Sequence, residues 1–314
     1  MAEQCSLRRL TRVDVLIVAA IGLLLMLLVP VLLARPRERA VRMLCAANLS
    51  QIGKAMLFYA NDYEDELPRA GGPTSTWGWV RNWMAVDRYM AYGINAKNEG
   101  GSASISSCFY LLVKYYEMPP RLFICAGDAN TVEFKLSDVP PGTVPQDFEF
   151  TDAWDFGPQS SKHCSYSYHL PFGLYALTTS SDPSLAVAAD RSPWIASPAA
   201  AAQLFAAFKP DLQTVRGTDF QARAGNSITH QRDGQNVLFL DGRVTFENRA
   251  YCGTGEGGSW GKDNIYTVSR FGAEGRGDPW GVPPTAQLSQ PADRQDSLLV
   301  HDEPFYLAYE PRKR

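Results

Sequence analysis

The stretch Val15 to Ala34, VLIVAAIGLLLMLLVPVLLA, contains no charged residue, and nothing else in the chain constrains its folding as strongly. Its length matches the roughly 20 residues that a helix needs to cross a bilayer core of about 30 Å. A cleaved secretory leader carries a shorter apolar stretch, about 7–15 residues, ending in a small-x-small site. Here the run is longer and ends in Leu32-Leu33-Ala34. The sequence therefore predicts a retained transmembrane helix over 13–34, behind a short cytoplasmic segment at 1–12. Arg8, Arg9 and Arg12 precede the run, while Arg35, Arg37, Arg39 and Arg42 follow it. Counted alone, those arginines would leave the C-terminal side in the cytoplasm.

Apolar residues continue past the run at helical spacing. Val41, Leu44, Cys45, Leu49, Ile52, Met56, Tyr59 and Tyr63 recur in steps of three and four, the stripe of an amphipathic helix. Gly53 interrupts it at a cost of about 1 kcal/mol relative to Ala, and Pro30 and Pro36 bend such a helix rather than end it. One helix is predicted from about Leu10 to Tyr63, apolar first and amphipathic over 35–65. The remainder, with 45% hydrophobic and 20% charged residues overall, has the composition of an ordinary globular domain. A net charge of −3 and the lack of a basic stripe interleaved with aromatics exclude a nucleic-acid partner.

Chemistry-bearing residues are sparse. Cys5, Cys45, Cys108, Cys125, Cys164 and Cys252 form no CxxC pair and no Cys/His spacing of a zinc site, so no metal is assigned. Outside the cytoplasm, one or two disulfides are expected, with the connectivity left open. Asn236–Leu240 and Arg243–Phe246 are β-prone runs around Asp241-Gly242, which predicts a hairpin with a two-residue type I′ turn and positive φ at both central residues. His230 with Asp241 also admits a hydrolase reading, but backbone geometry already accounts for Asp241 and Gly242. His163, His169 and His301 have no partner pattern, and there is no nucleophile elbow, P-loop or dinucleotide fingerprint. Ile105–Tyr116 reads as a helix and 199–208 as an Ala-rich helix or loop. Strands are expected at Arg121–Cys125, Thr131–Leu136, Asp147–Thr151, Cys164–Leu170 and Leu185–Asp190, with an edge strand at Asp263–Thr267. The aromatic segment Trp77–Tyr92 is expected to pack on the long helix.

Four segments carry a family resemblance. LTRVDVLIVAAIGLLL, from Leu10, has an acidic residue, Asp14, at the head of its apolar run, with Gly22 and Pro30 further along. CAANLSQIGKAMLFYANDYEDELP contains Cys45, Asn48 and Gln51; FICAGDAN contains Cys125; GNSITHQRDGQNVLFLDGRVTF contains His230, Asn236, Asp241 and Gly242. Together they resemble the bacterial type IV prepilins and type II secretion pseudopilins, in particular the pseudopilin-like proteins with a processing-associated H-X9-DG domain.

The resemblance implies an α+β fold. It would be a pilin-like roll in which a long N-terminal helix, transmembrane and then amphipathic, packs on an antiparallel β-sheet with long loops. The extracytoplasmic domain would occupy 66–271, with the signature block at 225–246; beyond it the Gly/Pro-rich composition of 272–314 predicts a tail that wraps the surface or is partly disordered. It implies a non-catalytic structural protein of a type II secretion or type IV pilus-like system, single-pass in the cytoplasmic membrane, with its C-terminal domain periplasmic or at the cell surface. Asp14, Gly22 and Pro30 would serve assembly within the membrane, while Cys45, Asn48, Gln51, Cys125, His230, Asn236, Asp241 and Gly242 would be structural. Partners would be the lipid bilayer, further pseudopilins or secretion components, and copies of the chain itself. No glycine precedes Gly22, so the anchor is expected to stay uncleaved. No cofactor is expected, with calcium held by Asp147, Glu149, Asp152 and Asp155 as the alternative. The rival function is a tethered module that binds a glycan or a protein through Trp77–Tyr92.

Overall fold

The structure, a computed structural model, describes residues 12–195, 205–269, 275–285 and 289–303, less the side chains of 12, 15, 25 and 27–36. Residues 1–11 of the expected cytoplasmic segment 1–12, the Pro30 side chain, most of the Ala-rich segment 199–208 and the end of the tail lie outside those residues. Two compact units are present, one ending at Val41 and the other beginning at Arg42.

Helix α1 is assigned over Arg12–Asp62. In the first unit its described apolar side chains face outward: Val13, Leu16, Ile17, Val18, Ile21, Leu23, Leu24 and Met26 are each more than half exposed. The expected membrane crossing at 13–34 is corrected here. Among the described residues no helix is long and apolar enough to cross a membrane. The apolar stretch described without interruption, 16–24, has nine residues, or about 14 Å of helix against a bilayer core of about 30 Å.

In the second unit α1 is amphipathic over the middle of the predicted stripe, while Leu44 and Tyr63 of that stripe are exposed. Cys45, Leu49, Ile52, Met56, Tyr59 and Ala60 are buried, whereas Met43, Leu57 and Phe58 are exposed. Two short strands, β1 (Thr76–Trp77) and β2 (Ser102–Ala103), pair in parallel. Helices α2 (Arg88–Tyr92) and α3 (Ile105–Tyr116) follow. Strands β3 (Tyr166–His169), β4 (Ala186–Asp190), β5 (Gln235–Phe239), β6 (Val244–Glu247) and β7 (Leu299–Val300) form one antiparallel sheet in the order β6-β5-β4-β3-β7. A one-turn helix, α4 (Asp219–Arg223), precedes β5.

The register places Tyr168, Ala188 and Leu238 in one cross-strand row. Leu238 presses on Gly53 of α1, where an added Cβ would lie 2.8 Å from its Cδ1. Tyr168 stacks on Phe109 of α3, with ring centroids 5.2 Å apart. Helices α1 and α3 therefore share one face of the sheet, and Gly53 marks a close approach rather than a tolerated flaw. Ala189, Val237, Phe239 and Leu299 join a second core with Trp194 and Tyr266. All of β4 is buried, and its alanines leave room for those rings. Burying that aromatic and aliphatic surface, at about 25 cal/mol per Å2, is the main stabilising contribution.

Helix α3 has the predicted bounds, and β3, β4 and the hairpin lie where the apolar runs place them. Three expected strands are different. Pro120–Phe123 and Phe150–Asp152 are 3-10 turns, and only a 3-10 turn at Leu136–Asp138 occurs near Thr131–Leu136. Proline at 119 and 120 removes two ladder donors, and Asp152 bends its own turn by accepting from the Glu149 amide at 2.9 Å. Asp263–Thr267 contributes a single bridge, Tyr251 with Asn264. The aromatic segment packs elsewhere than expected: Trp83 meets Phe134 and Phe148, and Tyr92 meets Trp154. The tail does not simply wrap the surface. Its β7 pairs with β3, and half-buried Asp302 accepts from the Ile105 and Ser106 amides at 2.8 and 2.7 Å, an acidic group at the positive end of α3.

Candidate functional site

The signature residues from three distant segments converge beside the sheet. Cys45 comes from α1, Cys125 from the loop after Pro120–Phe123, and His230 from the loop before β5; Asn236 is on β5 itself. Cys45 and Cys125 form a disulfide with Cα atoms 5.2 Å apart, closing a loop with a sequence separation of 80. Three further cysteines, Cys108, Cys164 and Cys252, are free and buried.

His230 stands over the disulfide, its Nε2 lying 3.6 Å from Cys125 Sγ and 3.1 Å from Asp190 Oδ2. Asp190 ends β4, where its carboxylate is wholly buried. Its Oδ2 accepts from the Asn236 backbone amide at 2.6 Å and the Asn236 side-chain amide at 3.2 Å. These donors offset part of the cost of burying a charge; Oδ1 has no hydrogen-bond partner among the described residues. Asn48, one turn of α1 beyond Cys45, donates to the Ile124 carbonyl at 3.1 Å and so fixes the segment that carries Cys125. Gly127 lets the loop pass under the histidine, since a Cβ there would lie 2.4 Å from the Thr229 carbonyl oxygen and 3.1 Å from His230 Nδ1.

The loop after His230 holds two consecutive non-glycine residues in the left-handed region, Gln231 (φ 57°) and Arg232 (φ 60°). Such conformations cost about 1–3 kcal/mol each and persist where the surroundings fix them. Here the Arg232 carbonyl accepts from Arg223 Nε at 3.1 Å and Asn226 Nδ2 at 3.0 Å. The Asp233 amide also returns to the His230 carbonyl at 3.0 Å.

Other signature residues are placed apart. Gln51 is exposed on α1 and reaches only the Ala47 carbonyl, at 3.4 Å. Asp241 and Gly242 lie at the hairpin turn at the other end of β5. The predicted two-residue turn is corrected. The Gly242 amide donates to the Phe239 carbonyl and the Phe239 amide to the Arg243 carbonyl, which makes a three-residue loop. Of the predicted pair only Gly242 has positive φ, 84°, as a three-residue loop ending in a left-handed glycine requires. Asp241 instead accepts from the Arg243 amide and guanidinium at 3.0 and 2.9 Å. In the first unit Asp14 is exposed in the first turn of α1, and Gly22 is half-buried with open space where a Cβ would sit.

Asp190 and Gly127 were not singled out from the sequence. A carboxylate closing the apolar run LAVAAD, already predicted as a strand, is the signal that points to Asp190. The acidic segment offered for calcium spends its carboxylates locally: Asp152 on its own turn, and Asp155 on Ser104 Oγ at 2.5 Å and the Phe156 amide at 2.8 Å. Burial, then the charge of Asp302, raises Asp155 to about 7. Burial likewise raises the Cys164 thiol to about 12 and lowers His169 to about 4. The free thiol at 164 is thus protonated near neutrality, and His169 is neutral.

Chemically, the centre is a closed polar knot. Its sulfurs are covalently paired, and Cys45, Cys125, Asp190, His230 and Asn236 are all at least 95% buried. Among the described residues, Cys45, Cys125, Asp190 and His230 form the one group of three or more His, Cys, Asp or Glu that could share an ion, with ligand atoms within 4.8 Å of one another. No family model, characterised protein or solved structure matches the chain.

Proposed function

We propose that the chain is a non-catalytic, pilin-like structural subunit. It works in an oxidising compartment outside the cytoplasm and assembles with its own kind through residues 13–26. The observation that carries this reading is the exposure of eight large apolar side chains there. At 100° per residue their positions point to all sides of a helix, and a helix that is apolar all round is a buried one in its working state. Equivalent helices of further subunits supply such surroundings. Burial of Cys45, Cys125, His230 and Asn236 supports a structural role for those four, and the disulfide supports the oxidising compartment.

Photo-crosslinking from Leu16 and Ile21 in the full chain tests the assembly. A ladder of cross-linked copies is expected, and Ile21→Glu with Leu24→Glu should abolish it while leaving the unfolding of the second unit unchanged. A chain that stays monomeric and uncross-linked at tens of micromolar would overturn the reading. A second reading, a glycan-binding module, is favoured by the exposure of Trp79, Val86 and Met90. A reproducible hit on a glycan array that Trp79→Ala removes would promote it.

A further inference from the structure

We infer that the Cys45–Cys125 disulfide and a zinc ion are interchangeable closures of the same knot, so that the reduced chain binds one Zn2+ through Cys45, Cys125, His230 and Asp190.

Two thiolates, an imidazole and a carboxylate are ligands that zinc accepts in tetrahedral array. With bonds of about 2.0–2.3 Å, the edges of such a tetrahedron are about 3.3 Å between nitrogen and oxygen and about 3.6 Å between sulfur and nitrogen. In the oxidised structure His230 Nε2 is 3.1 Å from Asp190 Oδ2 and 3.6 Å from Cys125 Sγ. Those two edges are already near their metal-bound values. All four ligand atoms lie within 4.8 Å of one another, and the sulfur–sulfur edge is the one held short by a covalent bond, since a disulfide keeps its sulfurs about 2 Å apart. Reduction releases that edge.

Two further observations point to an ion. Asp190 Oδ1 is a buried carboxylate oxygen with no donor among the described residues, so the protein's own donors leave this carboxylate under-satisfied. Asn236, which donates to Asp190 and lies 3.3 Å from His230 Nε2, is placed to orient both ligands. The charge also balances. Counting the imidazole as neutral, as ligation requires, the disulfide form carries the single negative charge of Asp190. The zinc form carries two positive charges against two thiolates and the same carboxylate, which again leaves one negative charge. Exchange therefore adds no net charge to the interior.

The step balances with a phosphine as reductant. It breaks the S–S bond, takes oxygen from one water to become a phosphine oxide, and leaves both water hydrogens on the two sulfurs. Zinc then displaces those two protons to solvent as it binds the thiolates.

Because the disulfide is buried, the test is a refolding experiment on the full chain. The protein is unfolded with phosphine and diluted into buffer holding either Zn2+ or a chelator, and the desalted product is measured by metal analysis and circular dichroism. Close to one zinc per chain is expected in the reduced, refolded protein and none in the oxidised protein. Co2+ in place of zinc should give tetrahedral visible bands and a thiolate-to-cobalt charge-transfer band. His230→Ala should weaken binding by about tenfold or more, and Cys45→Ser with Cys125→Ser should abolish it. Three outcomes would overturn the inference: a reduced chain that refolds but retains no metal, one that does not refold with zinc where the oxidised chain does, or full zinc occupancy in the double cysteine variant.

Discussion

The two stretches of α1 invert the usual relation between hydrophobicity and burial. Residues 13–26 are nearly all apolar and their described large side chains stand exposed, whereas residues 45–60, which include Asn48, Gln51 and Lys54, bury a full stripe. What differs is the surface available to each. The second stretch has the sheet, through Gly53 and Leu238, and a covalent tie at Cys45. Hydrophobic residues are buried when the chain supplies a partner surface for them, and an exposed apolar stretch of this size is the kind of surface that marks an interaction site.

The sharpest way to break the contrast is to cut the tie. Cys125→Ser opens a closed loop with a sequence separation of 80, which by chain entropy should cost about 4.5 kcal/mol of unfolding free energy. Denaturant titration of the oxidised wild type against the variant checks it, and a difference under about 1 kcal/mol would mean that packing alone holds α1 to the sheet. Next comes a matched pair of truncations. Leu49→Ala should cost about 3.5 kcal/mol, as for a well-packed core leucine, and Leu16→Ala under about 0.5 kcal/mol in the dispersed monomer. Equal costs would erase the distinction between the two stretches.

A third, smaller effect separates the units by pH. Asp155, raised to about 7 by burial and then by Asp302, holds its proton more tightly in the folded chain than in the unfolded one. Its contribution is therefore full below about pH 4 and is lost as pH rises towards 7. Between pH 5 and pH 8 Asp155 alone should account for a loss of about 3 kcal/mol from the second unit, with Asp296, also raised to about 7 by burial, acting in the same direction. Asp155→Asn should flatten that slope, while the exposed stretch of α1 shows no change in helicity over the same range.

Much of the second unit was legible because its signals are local. The Ile105–Tyr116 helix, the strands around Tyr168 and Ala188 and the hairpin all follow from periodicity and turn chemistry within a few residues. The turn at Asp241-Gly242 was legible as a turn but not in length, since the Asp241 amide reaches Pro183 and the Leu240 amide reaches Leu185, partners no hairpin rule contains. Pro119 and Pro120 could have excluded a strand at 121–125, and did so only in three dimensions. In the site, Cys45, Cys125, His230 and Asn236 stood out in sequence; their mutual contact and the place of Asp190 among them depend on pairing between β4 and β5. The bilayer crossing read from composition met no helix long and apolar enough among the described residues.

The position of β7 also dictates when this domain can finish folding. The strand on which β3 depends and the carboxylate that caps α3 both come from the last part of the chain, with Asp302 lying 197 residues beyond the Ile105 amide it binds. During synthesis, everything made earlier waits with an open edge at β3, and with the Ile105 and Ser106 amides of α3 unpaired although Ser104 already caps the Ser107 amide, until residue 302 has emerged. Contacts of such long range slow folding and prolong exposure of unpaired edges. Until then a nascent chain of this kind keeps unpaired strand edges open to chaperones.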